Sequence, residues 1–413
     1  MRESVIIIFL ISLNQIYGQQ MELIAGHVLF RHGDRTPITT YPTDPMKETD
    51  WPNGFGQLTN NGIEQHHRLG KYLRGRYGSI LSLNYTASEI HVRSTDYDRT
   101  LMSAQSNLVG LYRLYNISDD KMPIQPIPIH TVPTNEDFLL GLNDCPRYEQ
   151  IEKEVYESDE FKNMNTYYED FFKQLKIWTG ISNITMYNAW DIADTIYIEQ
   201  IYNKTPSWAN ESVQKTLSDI NDASFHFLYL NNDSKRIRGG PLIQDICMNM
   251  NNSTREQTYR KVKMYSAHDT TISATLAFLG INYPHQPKYA SALFLDLYKQ
   301  NSTYYVKVEY LNVTDSNKAY PYLLNGCSAF ECPLETFTAI YQPRFPASVE
   351  VECTKKVPPT PPNNANNKKL TVILCTIVFV LGILIVGTFG YFYCRKRERD
   401  APLLSNGSFS QIA

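Results

Sequence analysis

Leu23-Ile24-Ala25-Gly26-His27-Val28-Leu29-Phe30-Arg31-His32-Gly33-Asp34-Arg35-Thr36-Pro37 decides the reading of this chain. The apolar run from Leu23 to Phe30 has the length and composition of a buried strand, and the charged cluster begins where that run stops. Two guanidinium groups flank one imidazole there. Arginine presents a planar fork of donors that matches phosphate oxygens in pairs and stays charged at any working pH, while a neutral imidazole nitrogen is a competent nucleophile near or below neutrality. The cluster therefore suits a histidine that accepts a phosphoryl group. His32 is the candidate nucleophile, one ring nitrogen held by a backbone carbonyl such as that of Gly33, and Gly33 itself permits close backbone approach.

Working outward, apolar runs at Ile90 to Val92, Val262 to Tyr265 and Ala292 to Tyr298 also read as strands. The first two lead into Arg93-Ser94-Thr95-Asp96-Tyr97-Asp98-Arg99-Thr100 and Ser266-Ala267-His268-Asp269-Thr270-Thr271. Helical spacing follows each motif: Ile63, His66, Leu69, Leu73 and Tyr77 after Thr59; Leu101, Leu108, Leu111 and Tyr115 after Asp98; Ile272, Leu276 and Leu279 before Gly280. Strand, motif, helix repeated three times predicts an α/β fold with a mixed central sheet flanked by helices. Ligands of such sheets sit beyond the carboxyl ends of the strands, where helix N-termini favour anions, so His32, Arg93 and His268 are expected to converge. Residues 118–254 read as an inserted, mostly helical cap. Tyr304 to Tyr310, with Lys307 and Glu309 on one face, is expected to form a hairpin with Ala292 to Tyr298 at the sheet edge.

These three motifs, in this order, resemble the histidine acid phosphatases, the branch of the histidine phosphatase superfamily whose signature reads R-H-G-x-R-x-P. The resemblance covers roughly residues 23–353 and includes Leu58-Thr59 with Gly62 and Gln65, Thr131-Val132-Pro133 with Glu136-Asp137, and Cys332-Pro333-Leu334-Glu335. It implies hydrolysis of small phosphomonoesters through a phosphohistidine on His32. Arg31, Arg35, Arg93 and His268 would contact the phosphate, Asp269 would donate the proton, and Trp190 would stand at the substrate mouth. No metal or organic cofactor is implied, and neither a C-x-x-C pair nor an H-E-x-x-H helix is present. Asp34 is expected to orient the arginines, Arg99 to be an ion-pair residue, and His27 and His66 to pack. The resemblance also implies Cys145–Cys353 and Cys327–Cys332 disulfides, which leaves Cys247 over. Ile198 and Ala292 stand where matching segments carry a third bridge. A homodimer is common in the family. The rival enzyme readings are a phytase or lysophosphatidate specialist. The rival outside enzymology is a non-catalytic surface glycoprotein on the same fold, against which stands the complete set of charged residues.

The 413 residues, 42% hydrophobic and 20% charged, can bury a large core, and a formal net charge of −3 gives no electrostatic case for nucleic acid. Residues 1–18 read as a signal peptide. Residues 19–353 form the globular part, 354–369 a Pro/Asn-rich linker, 370–393 an uncharged stretch long enough to cross a bilayer, and 394–413 a short tail. A translocated N-terminus with one stop-transfer span makes a single-pass type I protein, its catalytic part in the lumen or outside the cell. Sequons at Asn84, Asn116, Asn183, Asn203, Asn210, Asn232, Asn251, Asn252, Asn301 and Asn312 suit that placement. Asp400-Ala401-Pro402-Leu403-Leu404 is similar to signals read by endosomal sorting adaptors, and a string that short also arises by chance in tails. Lysosome or endosome and cell surface both stay open.

Overall fold

The computed structural model describes residues 21–112, 125–141, 145–255, 258–312 and 318–354. The expected signal peptide, the linker beyond Thr354, the membrane span and the tail, with Asp400, Leu403 and Leu404, lie outside these residues, as do Tyr115 and Asn116. Among the described residues no helix is long and apolar enough to cross a membrane.

The strands are β1 (Glu22–Arg31), β2 (Ile90–Ser94), β3 (Val262–Ala267), β4 (Ala292–Gln300), β5 (Thr303–Leu311), β6 (Tyr320–Pro321) and β7 (Glu331–Pro333). They form one sheet in the order β2-β3-β1-β4-β5-β6, with β7 also paired to β5. β2, β3 and β1 run parallel, whereas β4 and β5 are antiparallel additions. The mixed sheet is as expected, with one correction. β5 pairs with β4 but is not the edge, because β6 and β7 cover its outer side.

The main helices are α1 (Asn60–Tyr77), α2 (Asp98–Leu111), α3 (Pro146–Tyr156), α4 (Asp159–Tyr167), α5 (Glu169–Thr179), α6 (Ala189–Ile201), α7 (Glu211–Leu228), α8 (Asn232–Thr254), α9 (Asp269–Phe278), α10 (Leu334–Tyr341) and α11 (Val349–Thr354). Successive strand residues face opposite ways, and both faces of β1 are covered. Val28 and Phe30 pack with Leu69, Leu73 and Tyr77 of α1 and with Leu108 and Leu111 of α2. Ala25 and Leu29 pack with Ile243, Ile246 and Met250 of α8 and Ile272 and Leu276 of α9. The cap has its own core, in which Phe161, Leu175, Ile192, Ile196, Leu217 and Ile220 meet around Tyr41 from the body. The expected cap boundary at residue 254 is thus too late. α8 belongs to the α/β body, because its apolar face closes one side of the sheet.

Helix ends follow local chemistry. The Thr59 hydroxyl accepts the Gly62 amide at 3.1 Å to cap α1, and Asn210 accepts the Val213 amide to cap α7. Gly280 takes φ 78° just past α9, a conformation that stops a helix at little cost to glycine.

Cys145–Cys353 and Cys327–Cys332 are bonded as the resemblance implies. The first ties α3 to α11 beside Tyr148, Ile151 and Ile237. Cys247 is free and buried, and burial raises its thiol pKa to about 12. Ile198 and Ala292 are fully buried apolar side chains. Of the sequon residues, Asn84, Asn183, Asn203, Asn210, Asn232 and Asn301 are exposed, while Asn251, Asn252 and Asn312 are half-buried.

Candidate active site

Register brings the motifs together. Arg31 pairs with Ala267 across β1 and β3, and Ser94 pairs with Ser266 across β2 and β3. The residues just past each strand end are therefore neighbours: the His32 amide donates to the Ala267 carbonyl at 3.0 Å, and the Thr95 amide to Ser266 at 3.1 Å. His32, Arg35, Arg99, His268 and Asp269 line one cavity of about 450 Å³, bounded on its far side by cap helices.

His32 is 2% exposed. Its Nδ1 lies 2.8 Å from the carbonyl of Gly33, the partner expected from sequence, which fixes Nδ1 as the donor and leaves Nε2 a bare lone pair. Burial, then Arg31, Arg99, Arg35 and His268, hold its pKa well below the ordinary value. The ring is a neutral base even in acid. Only glycine fits at position 33, because a Cβ there would stand 2.5 Å from the Gly62 carbonyl oxygen. His66 packs as expected: its ring meets Phe30 and its Nε2 donates to the Arg31 carbonyl at 3.1 Å. His27 is likewise buried, bonded to the Leu295 carbonyl and to Asn249.

His268 caps the start of α9, and its Nε2 is 3.0 Å from the Thr95 hydroxyl. Burial, then Arg99, lower its pKa to about 3. Asp269 is the first residue of α9. It accepts from the Thr270 amide at 2.7 Å and from the Gln286 side chain at 2.8 Å, and lies 2.9 Å from Arg31. Burial raises its pKa, but Arg31, Arg35 and Gln286 outweigh burial and hold the resting carboxyl below the usual range. Arg31 also donates to the Pro287 carbonyl at 2.5 Å and lies 4.1 Å from the Tyr289 ring centre.

Two expectations need correcting, and one residue stands back from the cavity. Arg93, one residue before the end of β2, stands behind the cavity wall as Arg31 does, with its guanidinium 2.8 Å from Asp137, whose side chain lines the cavity. Arg99, expected as an ion-pair residue, instead lines the cavity from the first turn of α2. No carboxylate among the described residues lies within ion-pair distance of it, its Nε lacks a partner, and burial with the nearby Arg35 lowers its pKa to about 10. Asp34 does not orient the arginines, since it accepts instead from the hydroxyls of Thr59 and Tyr202. That task falls to Asp194 of α6, whose two oxygens accept from Arg35 at 3.0 and 3.1 Å. Trp190 does line the cavity, 37% exposed.

The family model described as histidine phosphatase superfamily (branch 2) matches residues 22–310. The chain belongs to this superfamily. Human prostatic acid phosphatase is 41% identical over 335 residues, 79% of this chain and 86% of that protein. Human lysosomal acid phosphatase is 39% identical over 335 residues, 79% of each. Among solved structures, the phytase from Citrobacter braakii superposes with TM-score 0.63 at 18% identity, over 81% of this chain and 99% of that one, a likeness of fold. Within this branch 2 fold, the residues that sequence reasoning missed are Arg99, Asp194 and Gln286. Arg99 had a usable signal, a cation in the first turn of the helix that follows a parallel strand. Asp194 and Gln286 had none, being brought in by packing of the cap and by the loop before β4.

Proposed function

We propose that the chain is an acid phosphatase that hydrolyses phosphate monoesters in two steps through a phosphohistidine on His32. One observation carries this: a buried imidazole, kept neutral by burial and by surrounding cations, with Nδ1 tied to Gly33 and Nε2 left for a cavity that also holds Arg35, Arg99, His268 and Asp269. Clustered cations repel one another unless an anion belongs among them.

The substrate phosphate takes the guanidinium groups of Arg31, Arg35 and Arg99, which hold its non-bridging oxygens and spread the charge of a loose transition state. His268 faces the same group. The Nε2 lone pair attacks phosphorus in line, and the bond to the alcohol oxygen breaks. Asp269 gives that oxygen its proton. The resting Asp269 is an anion, held so chiefly by Arg31 and Arg35; once phosphate engages those arginines, burial and the adjacent dianion both favour the protonated carboxyl. In the second step water attacks the phosphohistidine, its proton passes to the Asp269 carboxylate, the nitrogen–phosphorus bond breaks and inorganic phosphate leaves.

The sequence features outside the described residues, together with two disulfides and six exposed sequon asparagines, support a type I protein with its catalytic part in an oxidising lumen or outside the cell. The Asp400, Leu403 and Leu404 string supports recruitment of sorting adaptors by the tail. His32→Ala is expected to abolish p-nitrophenyl phosphate hydrolysis in a protein that still folds. Asp269→Asn should slow alkyl phosphates far more than p-nitrophenyl phosphate, whose leaving group needs no proton. Appreciable turnover by folded His32→Ala contradicts the proposal.

A further inference from the structure

The loop 285–290, between α9 and β4, reaches three members of the catalytic cluster. The Pro287 carbonyl accepts from Arg31 at 2.5 Å, and the Tyr289 ring centre lies 4.1 Å from the same guanidinium. The Ala290 amide donates to the His32 carbonyl at 3.0 Å, and the Gln286 side chain donates to Oδ2 of Asp269 at 2.8 Å. The cap grips this loop. Asp222 of α7 accepts the Gln286 backbone amide on one oxygen at 3.2 Å and Nδ1 of His285 on the other at 2.7 Å. One residue earlier on α7, the Asn221 side chain donates to Oε1 of Gln286 at 2.9 Å. Asn221, Gln286 and Asp269 all line the cavity.

This chain of contacts fixes which way the Gln286 amide faces. A carboxylate only accepts, so Gln286 presents its N–H to Asp269, and the Asn221 donor holds the amide oxygen on the far side. Turned over, the same side chain would present its oxygen, to which only a protonated carboxyl can donate. With the N–H facing it, Asp269 gives up its proton readily when the alcohol leaves and is an anion when the proton of water must be taken. With the oxygen facing it, the proton is retained. Gln286 acts after Arg31 and Arg35 in holding the resting carboxyl below its usual range. The other groups facing Asp269 are Arg99 of α2, the adjoining His268 and the Tyr229 phenol just past α7. The charged groups beside Gln286 on the cap side are Asp222 and His285.

We propose that Asn221, a cap residue, is a positioning residue for the proton donor: by donating to Gln286 it sets that amide to donate to Asp269, while Asp222 anchors the loop that carries the contact. This rests on the reading of Asp269 as proton donor and names the residue that tunes it.

Asn221→Asp keeps the side-chain shape and exchanges the donor for an acceptor. Gln286 then turns its N–H toward position 221 and its oxygen toward Asp269. The test follows phenol release from phenyl phosphate, a leaving group that needs a proton, in the first turnover as a function of pH. Asn221→Asp should move the basic limb of that rate upward by about 1–2 pH units, the worth of one hydrogen bond to a charged group. Introduced into Gln286→Leu, the same substitution should not move the limb further. Equal shifts in the two backgrounds mean that the new charge acts directly, and that result, or an unmoved limb in folded Asn221→Asp, overturns the proposal. If Asn221→Asp does not fold, Asn221→Ala, which only releases the amide, carries the test. A smaller upward shift that vanishes beside Gln286→Leu supports the proposal, and no shift overturns it. Phenol release by Asp269→Asn as fast as by wild type overturns the underlying reading instead, whatever Asn221 does.

Discussion

Replacing Arg99 and Arg93 one at a time should separate a functional cation from a structural one. Arg99 faces the cavity without a carboxylate partner among the described residues, and burial, then the neighbouring Arg35, depress its pKa to about 10. Removing it relieves repulsion in the empty site, so Arg99→Ala should fold with undiminished stability. With substrate bound it removes a charge-assisted donor from the transferring phosphoryl group, and the loss of one such donor costs about 10²–10³ in rate. Arg93 is the reverse case. It is 8% exposed, and its partner Asp137, 3% exposed, keeps only the Leu139 and Leu140 amides when the guanidinium goes. Breaking a buried pair on one side costs about 3–5 kcal/mol, and those two amides place this pair at the lower end. Arg93→Ala should therefore lose about 3 kcal/mol of stability and less than about tenfold in kcat/KM. Denaturant unfolding and steady-state hydrolysis of p-nitrophenyl phosphate, measured on both variants, read the two effects separately. A folded Arg93→Ala with a hundredfold defect beside a near-normal Arg99→Ala refutes the assignment.

Other outcomes follow from the same geometry. Because His32 titrates well below its ordinary value, the acid limb of the kcat/KM profile should fall well under about pH 6.5, the unperturbed histidine value. A limb at or above that pH contradicts a neutral nucleophile. On α6, Glu199 is fully buried against Asp44, and burial first, then Asp44, raises its pKa to about 8. A raised carboxyl pKa gives stability that is complete below about pH 4.5 and is lost as pH rises through about 8. Melting curves should show wild type losing stability relative to Glu199→Gln across that window, and parallel curves would refute the raised Glu199 carboxyl. Finally, Cys145–Cys353 closes a loop spanning 208 positions and Cys327–Cys332 one spanning 5. By chain entropy, removing both cysteines of the first should cost about 5 kcal/mol in denaturant titrations and removing those of the second clearly less.

How far the sequence carried is clearest strand by strand. β1, β2 and β3 were legible because parallel strands buried on both faces are nearly continuous apolar runs, and the polar residues ending them mark the site. The His32–Gly33 contact was legible because it is local. The Arg93–Asp137 contact was not legible, because its two partners are distant in sequence and are joined only by packing. Asp34 lies between two arginines in sequence, yet its short side chain turns back to Thr59 and Tyr202. α8 read as cap because residues 118–254 carry helical patterns with no strand alternation, and the resemblance implies an inserted helical cap there. Its apolar residues Leu242, Ile243, Ile246, Cys247 and Met250 pack against the sheet, which is a fact of tertiary packing.

The central claim, that phosphorus resides briefly on His32, is tested most directly by trapping. A ³²P-labelled monoester mixed with the protein at acid pH, quenched into alkali within the first turnovers and digested, should yield one labelled peptide. The account predicts an alkali-stable, acid-labile label on Nε2 of His32. Label on any other residue, or pre-steady-state turnover with no labelled protein at any time, contradicts it.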